Sequence, residues 1–158
     1  MNTSTSRQTR AVRDVTLAVR STLDAVSALS VTLSSYIAQR LDSDTKSAIE
    51  LGITEALVNV VKHGYPAGDV GLVELQYVEY PDRVMLRVKD HGIPIPSSKL
   101  QRTGDVVFHF DPLDMENVPE SGMGIAIIKA SFDDIDYVTG ELGNTLTLIK
   151  NCAPRSDG

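Results

Sequence analysis

The chain has 158 residues, 15 basic and 21 acidic, for a net charge of −6. That length suits one ordinary domain, and a composition 42% hydrophobic and 23% charged excludes general disorder, collagen and coiled coil. An acidic chain with no basic block lacks the footprint of a nucleic-acid binder, so no direct contact with DNA or RNA is expected. The polar start, MNTSTSRQTR, has no signal-peptide core, and no apolar run approaches the ~18 residues of a membrane span. One cysteine, Cys152, suits a reducing compartment. These features lead us to expect a cytoplasmic protein that does not engage a membrane.

Residues 1–11 read as a flexible tail, 12–150 as a single domain and 151–158 as a second tail. Within VRDVTLAV, residues 12–19, Val15, Leu17 and Val19 alternate as in a strand. Ser21 and Thr22 then offer a helix cap. Leu23, Val26, Leu29, Leu33, Ile37 and Leu41 follow at spacings of three and four, predicting one long amphipathic helix. Asp42, Ser43 and Asp44 cap a second helix, reaching about Lys62 and stopped by Gly64 and Pro66.

Residues 71–80 and 83–89 form a predicted hairpin turning at Pro81 and Asp82. Val84, Leu86 and Val88 share one face, and Arg87 and Lys89 share the other. Residues 90–121 are irregular and hold Pro94, Pro96, Pro112 and Pro119, four of the seven prolines. So long a stretch inside a domain is usually functional, and we read 96–121 as a lid. A third helix is predicted over 122–132, then a hairpin of 135–139 and 145–150 around Gly140–Asn144. This order implies an α+β fold: a two-layer sandwich whose mixed, mostly antiparallel sheet is covered by helices on one face.

Three segments carry candidate chemistry. In ITEALVNVVKHGY, residues 53–65, Glu55 and Asn59 are four apart and stack on one helix face. They are either a solvated face or a site, with Glu55 a base and the Asn59 carboxamide oxygen a neutral Mg²⁺ ligand. In RVKDHGIPIP, residues 87–96, Asp90 and Gly92 are either a simple turn or a carboxylate acceptor beside a glycine that admits a ring. In SGMGIAII, residues 121–128, two glycines at a helix start are either a tight capped turn or an anion cradle. The dinucleotide fingerprint and the Walker lysine motif are both missing. His63, His91 and His109 are scattered without metal-ligand spacing.

Taken in order, the Glu-x-x-x-Asn helix, the strand ending in Asp-x-Gly, the Pro-rich stretch and the Gly-x-Gly helix resemble the GHKL ATPase superfamily. More narrowly, the chain resembles the anti-sigma-factor serine kinases of bacterial partner-switching systems. The likeness covers about residues 12–150 and is most specific in EALVNVVKHGY, DHGIPIP and SGMGIAIIKASFDDIDY. It implies the ATP-binding fold of that superfamily, with ATP and Mg²⁺ as cofactors. Glu55 would be the base, and Asn59 would bind the metal. Asp90 would hold the adenine amine beside Gly92. Gly122, Met123 and Gly124 would cradle phosphates, and Thr145 would lie near the adenine.

Some positions depart from that pattern. Pro94 stands where broader members have glycine, as it often does in the small kinases. Asn144 stands where threonine is frequent. No phosphate-binding arginine lies near Met123, for which Arg102 and Lys129 are the candidate substitutes. The implied function is an ATP-dependent serine kinase that sequesters a sigma factor and phosphorylates a small antagonist protein on serine, working as a homodimer. The acidic surface suits a partner with basic DNA-binding faces. The alternatives are a nucleotide-binding interaction module without phosphotransfer, the catalytic part of a histidine kinase, and a structural α+β module.

Overall fold

Alternation in the strands decides which face of the sheet is covered. The computed structural model describes residues 9–37, 41–66, 68–96 and 120–152. Arg102 and all of the expected lid between 97 and 119 lie outside those residues. The elements are β1 (Arg13–Arg20), α1 (Leu23–Ser34), α2 (Ser43–Asn59), a π-helical turn (Val60–Gly64), β2 (Leu72–Glu79), β3 (Arg83–Asp90), α3 (Glu120–Ser131), β4 (Asp134–Gly140) and β5 (Gly143–Asn151).

The five strands form one sheet in the order β1-β2-β3-β5-β4. All four pairings are antiparallel, so the described sheet contains no parallel component of the mixed kind the sequence suggested. Leu75 pairs with Val88, Tyr77 with Leu86, Leu86 with Leu148 and Val88 with Leu146. These side chains share one face because the strand period is two. They are buried against Val26, Leu29 and Leu33 of α1, Ile49, Ile53 and Leu57 of α2, Ile128 of α3 and Phe132 just after it. The result is the expected two-layer α+β sandwich. Ile53 and Leu57 have no exposed surface; truncating either to alanine costs about 2–5 kcal/mol, a large share of the ~5–15 kcal/mol that holds a domain together.

The first two helices start where the sequence predicts and end earlier than expected. Thr22 caps α1 by accepting from the Ala25 N–H at 3.3 Å. The helix stops at Ser34, although Ile37 and Leu41 are still buried. Near this end Thr32, Ser34 and Ser35 turn their hydroxyls onto the carbonyls of Ala28, Ser30 and Thr32, a competition that disfavours helix continuation. Asp42 caps α2: the Thr45 N–H and hydroxyl both donate to it at 2.8 Å, holding its carboxyl below the ordinary value. After Asn59 the chain widens into the π turn, a feature often found at functional sites. The third helix begins at Glu120, two residues before the expected start. The last hairpin is tighter than expected, with Gly140 paired to Gly143. No helix among the described residues is long and apolar enough to cross a membrane.

Candidate active site

A cleft opens between α2, α3 and the ends of β3, β4 and β5. Ala56, Asn59, Val60, Gly64, Asp90, Ile93, Ile95, Ile128, Tyr137 and Leu146 line it. Most of this wall is apolar, with Asn59, Asp90 and Tyr137 as its polar side chains. A flat aromatic ring with a few polar edges suits such a lining.

Helical spacing brings Glu55 and Asn59 together, and α3 meets them. A side chain built on Gly124 would lie 3.0 Å from Asn59 Oδ1 and 3.1 Å from Glu55 Oε2. Carboxamide and carboxylate therefore flank one point at the N-terminal part of α3. The two helices also approach closely at the other end of α3, since a Cβ on Gly52 would lie 2.8 Å from Ser131 Cβ and 2.5 Å from Cε2 of the following Phe132. Small residues let the helix backbones approach and bring the first turns of α3 onto the polar face of α2. Gly122 and Met123 lie in α3 just before Gly124.

Asp90 ends β3 and is buried, with 6% of its surface exposed. Its Oδ1 accepts from the Gly92 N–H at 2.8 Å and from Asn144 Nδ2 at 2.9 Å. Asn144 Nδ2 also donates to the Gly92 carbonyl at 2.9 Å, and Thr139 donates to Asn144 Oδ1 at 2.7 Å. Gly92 packs on the Gly64 backbone rather than presenting itself to the cleft lining.

Two tyrosines, neither assigned a role from sequence, pin the segment after Asp90. Tyr65 accepts from the His91 N–H at 3.0 Å and Tyr137 from the Ile95 N–H at 2.9 Å. Burial pushes the Tyr137 phenol above its ordinary 10.0; the Ile95 N–H opposes this and the charge of Asp90 adds to it. These links span 26 and 42 residues, beyond the reach of any local sequence signal.

One expectation needs correction. Thr145 does not reach the cleft: Asn144, Leu146 and Leu148 are the buried positions of β5, and the strand period turns Thr145 to the opposite face. The position beside Asp90 belongs to Asn144. Lys129 lies in the last turn of α3, five residues and roughly 7.5 Å of axial rise beyond Gly124.

Residues 4–150 match the histidine kinase-like ATPase domain family. The serine-protein kinase RsbW of Bacillus cereus (strain ZK / E33L) is 31% identical over 102 residues, 65% of this chain and 61% of that protein. RsbW of Bacillus mycoides (strain KBAB4) is 31% identical over 111 residues, 68% of this chain and 64% of that protein. The chain thus spans about three fifths of the length of these curated relatives. The crystal structure of the RsbU and RsbW domains of a Mycobacterium tuberculosis protein shares the fold, with a TM-score of 0.61 and 19% identity over 90% of this chain and 34% of that one. A match over nearly the whole chain, on a sandwich whose cleft is lined by Asn59 and Asp90, makes this protein a member of the histidine kinase-like ATPase domain family.

Proposed function

We propose that the protein is an ATP-dependent protein serine kinase of the anti-sigma type, which sequesters a sigma factor and phosphorylates a small antagonist on serine. The observation that carries this reading is the pairing of Glu55 and Asn59 at Gly124, with Asn59 and Asp90 lining one cleft. Relatives named serine-protein kinase RsbW support it.

Asp90 accepts the exocyclic amine of adenine, and the apolar wall of Ile93, Ile95 and Leu146 receives the ring. The residues present fit a hard cation: the Asn59 carboxamide oxygen is a suitable neutral ligand, and the missing Gly124 side chain leaves space beside it. Mg²⁺, when bound with the nucleotide, supplies charge neutralisation on the phosphates. Gly122, Met123 and Gly124 offer backbone N–H groups near the start of α3, where the helix dipole favours anions. The Glu55 carboxylate takes the proton of the acceptor serine as its oxygen forms the bond to the γ-phosphorus. The bond from that phosphorus to the bridging oxygen breaks, and ADP leaves. Phosphoserine adds about −1.5 to −2 charges, which repel an acidic kinase surface and release the antagonist. The working unit is a homodimer in the cytoplasm.

The test is transfer of labelled γ-phosphate from Mg²⁺-ATP to the serine of a small partner-switching antagonist. Stoichiometric phosphoserine is the expected result. ATP binding without transfer to any such protein would leave a nucleotide-binding interaction module instead.

A further inference from the structure

Asn144 is the best-connected polar side chain near the cleft, yet it lies behind the lining rather than in it. We propose that Asn144 is a positioning residue that fixes the Asp90 carboxylate and thereby sets the purine selectivity of the site. This rests on the nucleotide reading above.

The backbone brings the two residues together. Asn144 is the register partner of Asp90 in the β3–β5 pairing. Gly143, just before it, has φ +98° and passes so close to β3 that a Cβ would lie 2.5 Å from the Asp90 carbonyl oxygen. Only glycine meets both demands without strain. Asn144 is 4% exposed and Asp90 6%, so each polar atom there must find its partner inside the protein or in the cleft.

The hydrogen bonds then dictate the orientation of the amide. Asp90 Oδ1 and the Gly92 carbonyl are acceptors, so both require the Nδ2 side, and each accepts at 2.9 Å. The Thr139 hydroxyl donates to the amide oxygen. Asp90 Oδ1 also takes the Gly92 N–H, so two donors hold one carboxylate oxygen. Oδ2 has no hydrogen-bond partner among the described residues. A carboxylate anchored at one oxygen presents the other at a fixed place. An exocyclic amine at C6 of a purine satisfies it; a carbonyl oxygen there meets it acceptor to acceptor. Threonine at 144 has one donor for two acceptors, and alanine has none.

Calorimetric titration with Mg²⁺-ATP and Mg²⁺-GTP at pH 5.5 and 8 tests this on the wild type and on Asn144→Ala, Asn144→Thr and Asn144→Asp. The wild type is expected to prefer ATP. Asn144→Ala should lose about ten- to hundredfold in ATP affinity, as for hydrogen bonds to a charged group, and GTP should change less, so the preference shrinks. Asn144→Thr should fall between the two. Asn144→Asp places a second carboxyl against Asp90: binding should be weakest at pH 8 and recover in part at pH 5.5, where a shared proton restores a donor to Oδ1. Tyr65, His91 and Tyr137 surround the site and are the same in every variant, so the wild-type pH profile removes their contribution. Thermal melts establish folding; where Asn144→Ala does not fold, the threonine and aspartate variants carry the comparison. A packing role would weaken both nucleotides in parallel with no recovery at low pH, and folded variants with a wild-type ATP-to-GTP ratio would overturn the proposal. Failure of the wild type to bind either nucleotide would overturn the nucleotide reading itself.

Discussion

Gly92 rests directly on Gly64: a Cβ at 92 would lie 2.5 Å from the Gly64 carbonyl oxygen and 2.9 Å from its Cα. The same carbonyl accepts the Ile93 N–H at 2.7 Å. Gly64 closes the π turn that follows Asn59, so this contact ties the loop after Asp90 to the end of α2. The two ends of the cleft are therefore set relative to each other by backbone.

Gly92→Ala is expected to force that contact apart. The obstacle is backbone, which cannot swing aside as a flexible side chain can. Overpacking of this kind costs about 1–3 kcal/mol, and nucleotide affinity should fall with stability. Gly140→Ala is the control, because nothing lies within 4 Å of the Cβ it would add; its change should stay within about 0.5 kcal/mol. Denaturant melts of both variants check this, and equal small losses would refute the contact's importance.

Glu55→Gln keeps shape and removes the base. General base catalysis contributes about 10²–10⁴-fold, so phosphotransfer should drop by that factor while ATP binding persists. Single-turnover transfer measured beside equilibrium binding separates the two effects. Near-normal transfer would exclude Glu55 as the base.

Asn59→Ala bears on the metal. It should weaken Mg²⁺-ATP more than metal-free ATP, because the carboxamide oxygen is the proposed ligand. Titrations with Mg²⁺ and with EDTA give the ratio. Equal losses in both would mean that Asn59 contacts nucleotide or packing alone.

The readable parts of this protein were those governed by local period. Glu55 and Asn59 share a face because they are four apart on a helix. Val84, Leu86 and Val88 turn to the core because they alternate, and Asp90 continues that face at the strand end. Parity also explains a miss: one step along β5 separates Thr145 from Asn144, and one step changes the face. The end of α1 was hidden for another reason. Ile37 and Leu41 keep a helical spacing and are buried, yet the serine and threonine hydroxyls between residues 32 and 35 compete for the carbonyls that continue a helix. The bond from Asn144 to Asp90 spans 54 residues. No window of sequence contains it; it exists because β5 pairs with β3.

Tyr137 allows a test by pH. Its phenol is pushed above the ordinary 10.0, chiefly by burial, with the Ile95 N–H opposing and Asp90 reinforcing the shift. A raised folded value means the fold prefers the neutral phenol. Its contribution is therefore complete below pH 10 and is lost as the pH rises through the folded value. Tyr137→Phe removes that titration together with the acceptor for the Ile95 N–H. At pH 7 the variant should be less stable by about 1 kcal/mol, the usual net worth of one hydrogen bond, and the Ile95 amide should exchange faster. Above pH 10 the gap to wild type should narrow, because only the wild type still has this phenol to ionise. Urea melts at pH 7, 9 and 11 measure the gap, with the remaining tyrosines and lysines common to both proteins. A gap that stays constant across that range would show that Tyr137 supports the 93–96 segment by packing alone.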